Sequence, residues 1–344
     1  MPIEGIARRR AHQFGKQSVI GTPVAATRRI AWKGTPDINP NWTDQEDADT
    51  GLIDVALPPY RVRPDLTAPG LGGLATYDDL PLLFAAGLRG GVAATGAGTA
   101  KTWVFTGLSG TNTDLDYFTY QFADDVVRDG LQMHGGVLES WELAWDETQG
   151  PWTVSGDWRF AGVNAHVTPT SGLQVGSNLP LIFGADTAVY IDDTSGGIGG
   201  TILSDTVHSG SIKVTNELDI KTFSNGSNTR FAVPGYAVVG RTIEATFRFA
   251  KTDAIIAALN SETVDWLSAD PVTRYVKVLA QSTALAQAST PYSLDLRLSG
   301  TWRTRSEGEI GGNSVVELML KGRYDAGLTY PIQATVVGQR SSVP

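Results

Sequence analysis

The sequence predicts a mainly β protein, a β-sandwich with one to three short helices, and three observations carry that prediction. Apolar and polar residues alternate with period two along at least ten segments, as strands with one face toward a core require. Hydrophobic residues make up 41% of 344, enough for a sizeable core, and 39 glycines punctuate the chain. Charged residues reach only 18%, against about 25% for an average soluble protein. That shortage is expected of a chain that buries part of its surface against other subunits.

The length fits two domains or one large all-β domain with extensions. No apolar run approaches the roughly 18 residues of a membrane-spanning helix. Residues 1–16 hold three consecutive arginines and no apolar stretch, so no secretory signal is expected. The glycosylation matches at Asn41 and Asn225 then carry little weight. Cysteine is absent, which removes disulfides, thiolate metal sites and thiol nucleophiles. Four scattered histidines (His12, His134, His166, His208) make a histidine metal cage improbable, and no cofactor is expected. The net charge of −9 argues against a general affinity for nucleic acid.

Charge is distributed unevenly along the chain. Residues 1–33 hold Arg8, Arg9, Arg10, Lys16, Arg28, Arg29 and Lys33 against Glu4, a net of +6. Residues 34–54 hold Asp37, Asp44, Glu46, Asp47, Asp49 and Asp54 with no base, a net of −6. Either these are a solvated basic tail and a solvated acidic loop, or one subunit's basic arm meets another's acidic loop. Arg8, Arg9, Arg10, Asp44, Glu46 and Asp47 are the candidates for that contact. The boundaries expected are an arm and acidic loop over 1–50, a β domain over 51–338 and a short tail over 339–344.

Prolines at 58, 59, 64 and 69 predict an extended run over 52–69. A helix is predicted over 77–88, capped by Thr76, with Asp78 and Asp79 at its positive end and Leu80, Leu83, Phe84 and Leu88 on one face. The Gly-, Ala- and Thr-rich stretch 89–100 reads as a loop. Strong strands are predicted over 137–145, 152–160, 241–249 and 292–299. In the first, Val137, Glu139, Trp141, Leu143 and Trp145 share a face. Weaker strands are predicted over 102–105, 117–122, 212–220, 274–279, 315–321 and 332–337. A further helix over 253–259 follows Thr252 as its cap. The segments 135–161 and 209–250 each read as a strand carrying Glu-Leu that returns through a hairpin ending Arg-Phe-Ala. As a weak internal repeat, they would supply equivalent halves of a sandwich.

No motif survives as a catalytic signature. The stretch 90–102 lacks the Gly directly before Lys101 that a phosphate loop needs, and a strand follows it where a helix should begin. Asp205, His208 and Ser209 are contiguous and cannot converge on one substrate atom as a triad does. Asn112, Asp114 and Asp116 alternate as calcium ligands do, but the loop's Gly and distal Glu are missing, which favours a turn. Trp141, Trp145, Trp152 and Trp158 fall on the apolar side of their strands, which favours core packing over a sugar platform. A carbohydrate-binding sandwich and a polysaccharide-degrading enzyme with an unassigned carboxylate pair remain the alternative readings.

Several features come in a telling order. A Gly-rich extended run ends in Leu-Pro-Leu-Leu-Phe within 66–88, an aromatic strand follows at 102–105, and the hairpin 135–161 comes next. The helix after 252 directly follows the strand 241–249, and 292–300 and 315–324 read as closing strands. In this the chain resembles the major tail tube proteins of long-tailed bacteriophages, over about 50–338. The resemblance implies a non-enzymatic virion protein assembled in the host cytoplasm. Its sandwich subunits would form hexameric rings, with sheets joined across subunits into a barrel. Rings would stack into a tube around a tape-measure protein and meet tail-terminator or distal tail proteins, and DNA would later pass through without stable binding.

Duplex DNA carries one charge per about 1.7 Å of axis, so a basic lining would hold it. An acidic lining would repel it within a screening length of about 8 Å. Acids on the polar faces of the hairpin strands, Glu142, Asp157, Glu217, Asp219 and Glu244, are therefore the candidate lumen residues. The competing expectation is that they face outer solvent or pair with Arg159 and Arg248.

Overall fold

Alternation decides which face of each strand is covered. Over 152–160, Trp152, Val154, Trp158 and Phe160 are buried, while Thr153, Ser155 and Asp157 face solvent. The structure is a computed structural model that describes residues 10–43, 59–107, 115–124, 130–175, 179–203, 206–220, 236–253, 255 and 272–344. In chain order its first strands are β1 (Arg10–Lys16), β2 (Arg28–Ile30), β3 (Asp37–Asn39), β4 (Trp42–Thr43), β5 (Tyr60–Arg61) and β6 (Asp65–Leu74). Helix α1 (Leu80–Gly87) precedes β7 (Lys101–Gly107), β8 (Phe118–Asp124), β9 (Gly130–Trp145), β10 (Thr153–Arg159), β11 (Gly162–Val167) and β12 (Thr187–Asp192). The last are β13 (Val207–Ile220), β14 (Tyr236–Ala250), β15 (Arg274–Gln287), β16 (Thr290–Ile310), β17 (Asn313–Gly322) and β18 (Ile332–Gly338).

The protein is mainly β, as expected, with antiparallel pairing throughout the described residues. Its principal strand order is β12-β15-β16-β17-β14-β13-β9-β10-β6-β3, and β18 joins β16 to β7. Strand β9 serves two neighbourhoods. Its first half pairs with β8 and β11, and its second half with β10 and β13. The layer containing β1 and β8 therefore lies over β10, and aromatic rings fill the space between. Phe14 sits 5.1 Å from Trp158 and Tyr120 5.7 Å from Phe160, centroid to centroid. Rings at these separations add to the energy of burying their area.

All ten predicted strands are present. Strands β1 to β6, β11 and β12 were not predicted as strands, although β6 begins within the extended run expected over 52–69. Most are too short for alternation to be read, and β1 is buried on both faces, so it does not alternate. Strand β1 matters most, because the stretch read as a basic arm contains it. It lies between β2 and β8, with Phe14 fully buried.

Helix α1 departs from the expectation of one apolar face. Leu80, Pro81, Leu82, Leu83, Phe84, Ala85, Ala86 and Gly87 are all buried. A helix apolar all round belongs inside a core. Phe84 meets Trp141 of β9 at 5.3 Å and Phe105 of β7 at 5.7 Å. The helix begins three residues later than predicted. Thr76 Oγ1 donates to Asp79 Oδ2 at 2.6 Å and accepts from Asp79 N–H at 3.1 Å, which builds a turn before the first helical residue. Asp79 pairs with Arg28 of β2, both largely buried.

The C-terminal end of α1 is held by a buried network. Asn216 Nδ2 donates to Gly87 O (2.8 Å) and Leu138 O (3.0 Å), while Arg241 donates to Asn216 Oδ1 (2.8 Å) and Leu88 O (2.9 Å). A cation at a helix C-terminus suits the dipole. Burial nevertheless pushes the Arg241 guanidinium down to about 10.

Two other readings are corrected. The hairpins β9–β10 and β13–β14 are not halves on opposing sheets. They lie side by side in one sheet, joined by the β9–β13 pairing from Trp145↔Gly210 to Ser140↔Thr215. A bulge skips Glu139 in the β9–β10 register, so Val137 and Leu138 are both buried and Glu139 turns to Arg159. Thr252 does cap, accepting from Ile255 N–H at 3.3 Å. The rest of that predicted helix lies outside the described residues.

Candidate functional site

The polar face of the sheet carries the first candidate surface. Strand register aligns Ser155, Glu142, Lys213, Glu244, Lys321 and Thr301 in one row across β10, β9, β13, β14, β17 and β16. Directly opposed residues on neighbouring strands have Cβ atoms about 4.5–5.5 Å apart, so opposite charges interact and like charges repel. The row alternates in sign, which favours this register. Glu244 thus sits between Lys213 and Lys321, and Glu142 between Ser155 and Lys213, so the two acids do not form an acidic strip.

The remaining lumen candidates are placed differently. Asp157 belongs to the β6–β10 bulge, where Oδ1 accepts from Gly70 N–H at 2.8 Å and Oδ2 from Ser140 Oγ at 2.7 Å. Its carboxylate holds backbone geometry. Glu217 and Asp219 lie where β13 pairs only with β14, beyond the β9 contact. The expected partners also differ. Arg159 pairs with Glu139 and Asp65, and Arg248 with Glu317.

A cleft of about 750 Å³ opens beside β1 and β2, lined by Arg10, His12, Arg29, Trp32 and Lys33 among others. Strand pairing fixes its walls, with His12 opposite Ile30 and Arg10 opposite Asp124. Trp32 packs edge-on against Phe14 at 5.8 Å, and Lys33 is held by reciprocal backbone bonds to Gly72 of 2.6 and 3.0 Å. His12 Nδ1 and Tyr120 OH are hydrogen-bonded at 2.8 Å. Burial, and then the charges of Arg10 and Arg29, push the His12 imidazole down to about 4. It is neutral at pH 7, so the cleft's positive charge comes from the arginines and the lysine. Such a surface attracts anions. The sequence offered only a basic block here. Nothing in it showed that Arg10, His12, Arg29 and Lys33 converge.

Of the contact candidates, Arg10 is exposed on β1 with its guanidinium 5.6 Å from the Phe122 ring centroid. Arg8, Arg9, Asp44, Glu46 and Asp47 lie outside the described residues. So do Asn112, Asp114 and Asp205 of the rejected motifs. Asp116 pairs with Lys16 at 2.6 Å and accepts from Gly91 N–H, a turn-holding role. Lys101 Nζ donates to Gly96 O at 2.8 Å, closing the loop 89–100 on itself. Trp141, Trp145, Trp152 and Trp158 are all buried, which leaves none of these rings open for stacking on a sugar.

Among the described residues no group of three or more His, Asp or Glu side chains is gathered as a metal site, and no helix is long and apolar enough to cross a membrane. Among the described residues, fold and surfaces define an antiparallel β protein with a buried helix, a polar row of alternating charge and a basic cleft. No family model matches the chain, and no curated protein matches it.

Proposed function

We propose that the chain is a structural subunit that assembles with copies of itself, and that the assembly is a phage tail tube of stacked, hexameric rings. One observation carries the reading, the extent of strand edge left unpaired among the described residues. Strand β13 from Asn216 to Ile220 pairs with β14 alone, and the facing part of β14 pairs with β13 alone. Strand β16 from Thr301 to Ile310 pairs with β17 alone. Val239 on the projecting β14 arm is 63% exposed. Unpaired edges of this length invite further strands, and joining them into a closed ring removes the hazard. The low charge content and the order of elements that resembles tail tube proteins support the same reading. DNA passes through such a tube without stable binding, and a tape-measure protein occupies it during assembly.

Electron microscopy of the purified protein tests this reading. Rings or tubes are the expected result. A 36.6 kDa monomer at every concentration in sedimentation, with no polymer after long incubation, would sink it.

A further inference from the structure

We infer that the basic cleft beside β1 and β2 receives the acidic stretch 44–54 of a second copy of this chain. The inference rests on the self-assembly reading and names the contact that would serve it. The receiving side is built rather than loose. Arg29 stands on β2, Lys33 is tied to Gly72 through both backbone groups, and Trp32 is packed between Phe14 and the cleft. Asp124, opposite Arg10 across β1–β8, is the carboxylate that register brings to this rim. Arg10 and Lys33 together outweigh it.

The arriving side is defined by charge. Residues 44–54 contain Asp44, Glu46, Asp47, Asp49 and Asp54 and no basic residue. Each copy offers a basic cleft and an acidic stretch, two unlike patches. A contact between unlike patches is heterologous, so it repeats from copy to copy and either closes a ring or extends a filament. Rim charges of this kind act chiefly on association rate, register and salt dependence.

The test uses the full chain and a labelled peptide spanning residues 40–57, followed by fluorescence anisotropy. The receiving chain carries amides at its own acidic positions (D44N, E46Q, D47N, D49N, D54N), so that its own stretch does not compete. The acidic peptide should bind, and a peptide with the same five amides should bind at least about tenfold more weakly. Binding should fade between 0.1 and 1 M salt, as the screening length falls from about 10 to about 3 Å. R29E/K33E should weaken binding by a similar factor. K33E alone, at an exposed position, gives a smaller loss without risk to folding. Equal binding of both peptides, or wild-type affinity in R29E/K33E, overturns the inference. So does peptide binding by the amide chain while the wild-type chain stays monomeric, because the stretch then occupies its own cleft. A chain that self-associates through this contact but forms no ring or tube leaves the inference standing and refutes the tail-tube reading.

Discussion

Trp158 is buried to 1% exposure with Phe14, Phe118 and Phe160 around it. Two of those rings come from two other strands, β1 and β8, so truncation opens a cavity that no single neighbour can fill. Trp158→Ala should cost about 3–5 kcal/mol, read as a fall in melting temperature, and an unchanged melt would mean the ring is not in the core. His12 offers a pH-dependent counterpart. Its imidazole titrates near 4 in the fold, against about 6.5 unfolded. The unfolded chain therefore binds the extra proton first as pH falls. The neutral ring's contribution is complete above pH 6.5 and is lost progressively down to pH 4, by about 3 kcal/mol at most. Carboxylates titrate in the same window, so the measurement is the difference between wild type and His12→Gln. That difference should narrow or reverse on acidification. A difference independent of pH would show that His12 titrates alike in the folded and unfolded chain.

Helix α1 is placed by its surroundings more than by its propensities. A Cβ on Gly87 would lie 2.5 Å from Trp141 Cδ1 and 3.1 Å from Leu138 Cβ. Alanine is the better helix former by about 0.8–1.0 kcal/mol, whereas overpacking a filled core costs about 1–3 kcal/mol. Sterics should win, and Gly87→Ala should lower stability in urea or heat. A stabilised Gly87→Ala would show that α1 can shift away from β9. The network at the same end makes an independent demand. Arg241→Met leaves Leu88 O and Asn216 Oδ1 buried without their donor, at about 1–3 kcal/mol for each group stranded. Its unfolding midpoint should fall accordingly, and a midpoint equal to wild type would mean that water replaces the guanidinium.

For the whole molecule the governing quantities are free edges and net charge. A ring of six copies at −9 each carries −54, and the tube reading puts part of that charge on the channel wall. Because Glu142 and Glu244 alternate with Lys213 and Lys321, reversing those two acids would disturb the register row as well as the wall. Glu217, exposed beyond the β9 contact, can be changed without breaking that row. Glu217→Lys combined with Asp219→Lys should leave particle shape intact and increase DNA retention by the particles, with the effect suppressed by salt. Retention unchanged at low salt would place both residues away from the channel.

Much of the secondary structure was legible without coordinates. Alternation in 152–160, 241–249 and 292–299 marks strands because a sheet face demands period two, and the spacing of Leu80, Leu83, Phe84 and Leu88 after Thr76 marks a helix, although not its burial on every side. Burial of Trp141 and Trp158 followed from the same periodicity. What stayed hidden depends on contacts between residues distant in sequence. Pairing of β9 with β13 put two similar hairpins side by side, and one bulge moved Glu139 from an apolar row to Arg159. The cleft needs β1, β2 and β8 in register before Arg10, His12 and Arg29 can meet. Local periodicity reports which face of an element is apolar. It carries no information about which elements become neighbours, because that choice is made by packing the whole core at once.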